Sequence, residues 1–577
     1  MELDNTAAAF CIITTGKKPN MAKNMEKDSK AAPAGNGAAG RLEWAALAVC
    51  ALAALVMEAV LFFHAGSFWR DECSSLYVAG QAALPAFWKN LGYDSFPALF
   101  DLLLRFWMAL GPQDSSGWLR LFGALMFLGV LLSILCSGRV LGGRPPVLAV
   151  SLVALNLTVF YYGSSLRAYG LAALLITLFF SAVWRFCLEP SRRNAALSLT
   201  LAVLSAHASY QNSCLIFGIG AAAVAVCLAA EMRRSALIVL GVCLAAALSM
   251  LVYLPVIEAY RAGSGVSHSP LDWRLIFSNA AMTLSGDYRG LNAPLRTLWL
   301  LLLAVAIVSL AVQSFRYLRR AGKKEPSAAL YAFTTLAAGG AAWLAFMKFS
   351  TAFPNPWQFI PLVALAGIAV DMGIRPPREA AWGSWLRAAL ACLIAIFSIK
   401  PLWTAAHLRR TNLDLVASTA AREAGPQDLL LVSPFWLAPG FQRHYSGKAP
   451  WTTMPAIAET PGAPLADFSN VQKLMLDPGG SLLPTQALIK KTLSAGHLVF
   501  MTGDLRFLPP GSLLPPLLPA TSAPYGWANG AWAEIWMLHT AYFLQSHAQN
   551  VWRFDIPVPG PVDPTENVQL YAFKGWH

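Results

Sequence analysis

Charged side chains are scarce in this chain: Asp, Glu, Lys and Arg together make up 13% of its 577 residues, while 56% are hydrophobic. Soluble proteins carry about a quarter charged residues, so the scarcity excludes a soluble globular protein and points to a polytopic membrane protein. Paired cysteines are missing as well. The nine cysteines are scattered without a CxxC pair, most lie inside apolar runs and none follows Cys392; a disulfide framework or thiolate metal site is set aside in favour of buried reduced thiols. No small-residue cleavage site follows the first long apolar run, EWAALAVCALAALVMEAVLFF (43–63), so it reads as a membrane span and not a signal peptide. No internal repeat is visible, which counts against transporter folds built from duplicated halves.

What is present fills that outline. Residues 1–40 are polar, rich in Lys, Ala and Gly, and read as a disordered cytoplasmic tail in which Met21 and Met25 are alternative starts. Apolar runs long enough to cross about 30 Å of hydrocarbon then recur at 43–63, 118–138, 147–163, 168–187, 195–211, 213–230, 235–256, 293–315, 328–347, 357–374 and 383–401. The expected fold is thus a polytopic α-helical membrane domain over 41–405 with about eleven transmembrane helices. With the tail inside, alternation puts GRVLGGR (138–144), WRFCLEPSRR (184–193), EMRR (231–234), FRYLRRAGKK (315–324) and RPPR (375–378) on one side, and these hold fourteen Arg or Lys and two acids. The positive-inside rule explains most of the net charge of +13, and nucleic acid is not needed as a partner.

That register leaves two longer external loops, 64–117 and 257–292. In the first, FPALFDLLLRFWMALG (96–111) reads as a juxtamembrane helix with Asp101 and Arg105 four apart. The second carries Trp273, Asp287, Tyr288 and Arg289. Beyond Lys400 the chain turns richer in proline and polar residues. A helix-like TNLDLVASTAAREA, strand-like LLLV, HLVFMTGD and VQLYAFK, and a helical AWAEIWMLHTAYFLQSHAQN (531–550) predict an extracytoplasmic α/β domain over 406–577.

The charges that break the pattern are the informative ones. Arg70, Asp71 and Glu72 stand in a row in SFWRDECSSLYVAG (67–80), just past the first span; Arg167 sits in the short turn YYGSSLRAYGL (161–171), Lys348 where a later span surfaces, and His207 in the polar turn LSAHASYQNSC. An ion pair between Arg70 and Asp71, lipid-headgroup contacts for Arg167 and Lys348, and a satisfied turn histidine are the plain readings of each alone. Together they describe one external cavity with carboxylates on one wall and cations on another. A carboxylate there can take the proton of an acceptor hydroxyl and a cation can meet a departing phosphate, which is the chemistry of glycosyl transfer from a polyprenyl-phosphate sugar.

The order of these motifs resembles bacterial membrane glycosyltransferases of the GT-C fold, related to the protein O-mannosyltransferases that use dolichyl-phosphate mannose and to the lipid A aminoarabinose transferase. The resemblance lies in WRDECSSLYVA, FPALFDLLLRFWMALG, WLRLFGALMFLGVLL…GRVLGGR, YYGSSLRAYGLAALL and the turn at His207, with DLLLVSPFWLAPGFQRHYSG similar to the family's external domain. It implies Asp71 as catalytic base, Glu72 assisting, Arg167 and Tyr169 lining a donor pocket, and a bacterial inner-membrane enzyme acting on the extracytoplasmic face. The donor would be a polyprenyl-phosphate-linked sugar and the acceptor a protein, lipid or glycan. Arg70 would hold Asp71 ionised. Glu72 with Asp71 supplies only two ligands toward a divalent cation (Mg or Mn). Two positions depart from the family: Ser95-Phe96-Pro97 stands where a His-Pro-Pro is usual, and Trp357-Gln358-Phe359 where an Arg-Tyr pair is usual, leaving Lys348 to contact donor phosphate. The rival readings are a transporter or flippase of a lipid-linked or anionic substrate, a non-catalytic envelope scaffold, and a related enzyme that moves an oligosaccharide.

Overall fold

Helices dominate because the apolar runs have no other way to satisfy their backbone in lipid. In the computed structural model, residues 36–577 are described apart from 95, 143, 264–271, 287–291, 321–324, 351–354, 376–380, 458–467, 504, 510 and 520–528. Among them, nine helices are long and apolar enough to cross a membrane. The first, α1 (Asn36–His64), shows how one is built: Leu47, Cys50, Ala54, Met57 and Leu61 recur at three- and four-residue spacing and are buried, whereas Val49, Leu52 and Phe63 point outward. The tail read over 1–40 lies outside the described residues up to 35, as do Asp287, Tyr288 and Arg289.

After α1 come α2 (Arg70–Ala79), α3 (Leu84–Asn90), α4 (Leu99–Ala109) and the long α5 (Ser116–Gly142). The run 147–163 departs from a single span, splitting into α6 (Val147–Ala154) and α7 (Leu157–Gly163). Asn156 makes the break: its side chain caps α7 by accepting from the Val159 N–H at 3.1 Å and donates to the carbonyls of Thr283 and Leu284 at 2.8 and 3.1 Å. Then follow α8 (Tyr169–Leu188), the 17-residue α9 (Arg192–Ala208), α10 (Tyr210–Ala229), α11 (Arg233–Ser249), α12 (Leu254–Gly263) and α13 (Trp273–Ser285). Helices α14 (Ala293–Arg319), α15 (Ala328–Ser350), α16 (Ile360–Gly373) and α17 (Ala381–Ala406) complete the bundle. At its far end the fully buried Arg387 pairs with Asp371 at 2.9 Å and Glu43 at 3.4 Å and donates to the carbonyls of Pro145, Asp371 and Ile374, tying α1, α16 and α17 to the turn before α6. The eight described cysteines are all free.

The C-terminal part holds a five-stranded sheet in the order β2 (Trp451–Thr453), β1 (Leu429–Val432), β3 (Val499–Gly503), β5 (Gln569–Trp576), β4 (Ala548–Arg553). The left half is parallel and the right half antiparallel. LLLV is apolar throughout because both faces of β1 are covered: Leu429 and Leu431 pack toward α20 (Phe468–Leu476), α21 (Pro478–Ser494) and α22 (Asn529–His547), and Leu430 and Val432 toward α18 (Leu413–Glu423). The predicted helix over 531–550 is α22, and its last residues become β4 instead. Short α19 (Ala438–His444) follows β1 and rests on α2, where a Cβ on Gly440 would touch Arg70 Cα and Cys73 Sγ at 4.0 Å.

Candidate functional site

The site is organised by the ten residues of α2, which the surrounding chain clamps from every side. The loop before it is fixed by Arg120, which donates to the carbonyls of Gly66 and Ser67 at 3.0 and 2.8 Å, by the Arg410 N–H on the Ala65 carbonyl at 2.8 Å, and by Ser67 Oγ against His444 Nε2 at 2.7 Å. Gly66 takes a left-handed φ of +65° there, and a Cβ would meet the Arg409 side chain at 2.6 Å. At the other end, Arg105 donates to the carbonyls of Ala79, Gln81 and Ala82, which closes α2. Arg105 and Asp101 are four apart as expected, but Asp101 turns inward instead of pairing with it.

Glu72 is buried and committed to structure. One carboxylate oxygen accepts the Trp69 N–H at 3.2 Å, capping α2, and the other accepts the Leu166 N–H at 3.0 Å, which pins the turn that carries Arg167. The same turn is wedged from behind: Gly123 of α5 lies so close to the Ser164 carbonyl that a Cβ would sit 2.0 Å from it.

Arg167 is buried. Its Nη1 meets Asp94 at 2.8 Å, Ser75 Oγ at 2.9 Å and the Asp71 carbonyl at 3.2 Å, and Ser75 donates in turn to Asp94 at 2.9 Å. Burial opposes its charge, but the carboxylates around it, Asp94 foremost with Asp71 and Asp101 behind, raise its proton affinity further. Asp101 is fully buried with no hydrogen bond to either oxygen, and burial first and Asp94 second push its carboxyl well above the ordinary range.

Asp71 stands apart from these. Its side chain is 31% exposed and meets Arg70 Nε at 3.5 Å, at the N-terminal turn of α2 where backbone N–H groups present a partial positive charge. Arg70 reaches onward to Glu566 Oε1 at 3.4 Å with its guanidinium 5.8 Å from the ring centres of both Trp69 and Trp436. Beside this group lies an aromatic wall: Tyr162 contacts Trp357 at 4.9 Å, Trp69 at 6.0 Å and Tyr169 at 6.1 Å between ring centres, and Tyr169 contacts Phe96 at 5.1 Å. Trp357, one of the residues that departs from the family pattern, is thus part of the site.

Arg70, Asp71, Glu72, Arg167 and Tyr169 therefore converge. His207 belongs to the next layer: its ring bonds to Tyr253 Oη at 2.9 Å and Ser249 Oγ at 3.1 Å, and Tyr253 accepts the Ala98 N–H at 3.1 Å, which steadies the start of α4. Lys348 is exposed in the last turn of α15 and pairs with no described residue. Cys73 is buried, its thiol toward the Phe68 carbonyl, and acts as a small packing residue. One signal points to Asp94 in the sequence, its place just before the proline-introduced helix, and none points to Glu566. Among the described residues no three His, Cys, Asp or Glu side chains converge as a metal site, and Glu72 faces backbone N–H groups, so the pair does not fit a divalent cation.

The architecture is similar to that of three solved membrane proteins. ArnT from Cupriavidus metallidurans bound to undecaprenyl phosphate matches at 11% identity and a TM-score of 0.47, over 79% of this chain and 93% of that one. The Archaeoglobus fulgidus oligosaccharyltransferase tethered to an acceptor peptide matches at 11% identity and 0.45, over 92% and 74%. The arabinofuranosyltransferase AftD from mycobacteria matches at 15% identity and 0.46, over 92% and 40%. No family model and no curated protein matches the sequence.

Proposed function

We propose that the chain is an inverting glycosyltransferase that moves a sugar from a polyprenyl-phosphate donor to an acceptor hydroxyl at the extracytoplasmic face of a bacterial inner membrane. The observation that carries the reading is the division of labour among the acids: Glu72, Asp94, Asp101 and Glu566 are buried, whereas Asp71 keeps an open, solvent-facing carboxylate beside an aromatic wall. The donor class comes from the ordered motifs of the sequence, and the orientation from its basic loops.

In the reaction, the acceptor O–H gives its proton to the Asp71 carboxylate as its oxygen attacks the anomeric carbon. The bond from that carbon to the phosphate oxygen breaks, and the lipid phosphate leaves with the electron pair. Trp357, half-buried, offers its ring to the sugar, with the buried Tyr162 packed against it and Tyr169 behind. Because Asp94 answers the charge of Arg167, that residue serves to hold Asp71 through its carbonyl. Lys348, nine residues before Trp357 and paired with no described residue, is the cation we assign to meet the departing phosphate. Glu72 assists by fixing α2 against the Arg167 turn.

The test is transfer of radiolabelled sugar in membranes supplied with polyprenyl-phosphate donors and containing the wild type. Formation of labelled product together with free polyprenyl phosphate is the expected result; export of intact lipid-linked sugar without cleavage would replace this reading with the flippase.

A further inference from the structure

Glu566 lies 495 residues after Asp71, yet both carboxylates hold the same guanidinium, Arg70 Nε meeting Asp71 at 3.5 Å and Nη1 meeting Glu566 at 3.4 Å. The placement is built. Asn412 exchanges hydrogen bonds with Val568 at 2.8 Å each way and donates to Asn567 at 3.1 Å, while its N–H and the Thr411 hydroxyl meet the Glu566 carbonyl at 3.4 and 3.3 Å. On the bundle side, Tyr161 of α7 donates to Asp563 at 2.6 Å. A loop anchored to both parts thus delivers one acid, with 1% of its surface exposed and neither oxygen hydrogen-bonded, to the N-terminus of the helix that carries Asp71. A buried carboxylate with so little satisfied is an expensive choice for mere packing.

We infer that Glu566 is a positioning residue of the transfer site, through which the C-terminal part sets how strongly Arg70 holds Asp71. The inference rests on the proposed glycosyl transfer. When Glu566 is ionised it draws Arg70 away and adds a negative charge near Asp71, making that carboxylate the stronger base; when Glu566 is protonated, Arg70 turns wholly to Asp71 and weakens it. The groups that face Glu566 are Arg70 and Asp71 on α2, Cys73 one turn on, Thr411 before α18, and Asp563 in its own loop. Burial, with Asp71 and Asp563 adding to it against the pull of Arg70, raises the Glu566 carboxyl to about 7, so its change of charge falls in the working range.

The experiment is the pH profile of transfer from polyprenyl-phosphate donors for the wild type, Glu566→Gln and Glu566→Asp. The wild-type rate is expected to step up through about pH 7. Glu566→Gln, a neutral isostere, should lose the step and run at the low-pH rate, a loss of roughly fivefold at pH 8 against the 10²–10⁴-fold expected of a missing general base. Glu566→Asp should restore a step. Melting curves give a second readout: an acid whose proton affinity rises on folding contributes stability that fades as pH rises from its unfolded value, so Glu566→Gln should gain on the wild type between pH 5 and 7. Glu566→Gln with an unchanged transfer step and an unchanged pH dependence of melting would overturn the inference. The wild type and Asp71→Asn separate the ideas: no cleavage of the donor by the wild type overturns the glycosyl-transfer reading, full transfer in Asp71→Asn overturns Asp71 as the base, and lost transfer in Asp71→Asn beside an unaltered Glu566→Gln profile overturns the role of Glu566 alone.

Discussion

Replacing Asp94 with Asn removes the charge that answers Arg167 and leaves the rest of the clamp in place. The two side chains are 6% and 1% exposed and meet at 2.8 Å, so neither has water to fall back on. Breaking a buried ion pair by deleting one partner costs about 3–5 kcal/mol, because the surviving charge stays desolvated. Here Arg167 keeps its bonds to Ser75 and to the Asp71 carbonyl, which places the expected loss at the lower end, about 3 kcal/mol. The assay is reversible unfolding of the purified protein in micelles, with Asp94→Asn, Arg167→Met and the double variant compared in one cycle. The double variant should be less destabilised than the sum of the two single changes, with a coupling of roughly 2 kcal/mol. Since Arg167 also holds the Asp71 carbonyl, transfer per folded molecule should fall as well. A loss below about 1 kcal/mol, the value of a solvent-exposed pair, would refute the reasoning that this pair is the buried pin of the site.

Other perturbations have equally definite expectations. Glu72→Gln puts an amide against two backbone N–H donors and should cost about 2 kcal/mol of stability while transfer per folded molecule stays within roughly tenfold of wild type; complete loss of transfer at full folding would move Glu72 into the chemistry. Arg387→Met leaves Asp371 and Glu43 unpaired at the far end of the bundle and should cost about 3–5 kcal/mol, read as lost thermal stability, with the catalytic pH profile unchanged. His444 is pushed down to about 4, by burial first and by Arg443 and Arg409 next, against the pull of Asp414. A histidine held neutral in the fold contributes stability that is full above its unfolded value of about 6.5 and is lost as pH falls toward 4, on the order of 2–3 kcal/mol; melting curves of His444→Asn should be flatter over that window.

Much of this was legible along the chain because lipid leaves the backbone few options: the apolar runs became helices, and LLLV, covered on both faces, became a central strand. The row Arg70-Asp71-Glu72 stood out because charge is so scarce around it, and the structure brings it together with Arg167 and Tyr169. What the sequence hid are pairings made by distance in space. Asp94 sits in an ordinary-looking YDSFP turn and only the closing of α2 onto the 164–168 turn sets it against Arg167. Glu566 sits in a polar PTENV stretch that becomes meaningful once Asn412 and Tyr161 anchor it over α2. Run 147–163 reads as one span by hydropathy, yet a single buried Asn156, serving the end of α13, divides it. Asp71 and Glu72 read as a pair, and their roles separate only by direction: one faces solvent, the other two backbone N–H groups.

The central claim is that Asp71 supplies the base while its neighbours supply the scaffold. The most direct measurement is the transfer rate of Asp71→Asn against wild type in membranes with equal folded protein, alongside their melting temperatures. The account predicts a fall of roughly 10²–10⁴-fold with little change in stability, since the one ion pair of the Asp71 carboxylate, to Arg70 at 3.5 Å, is partly solvated and worth about 0–1 kcal/mol. Wild-type transfer by Asp71→Asn would contradict it.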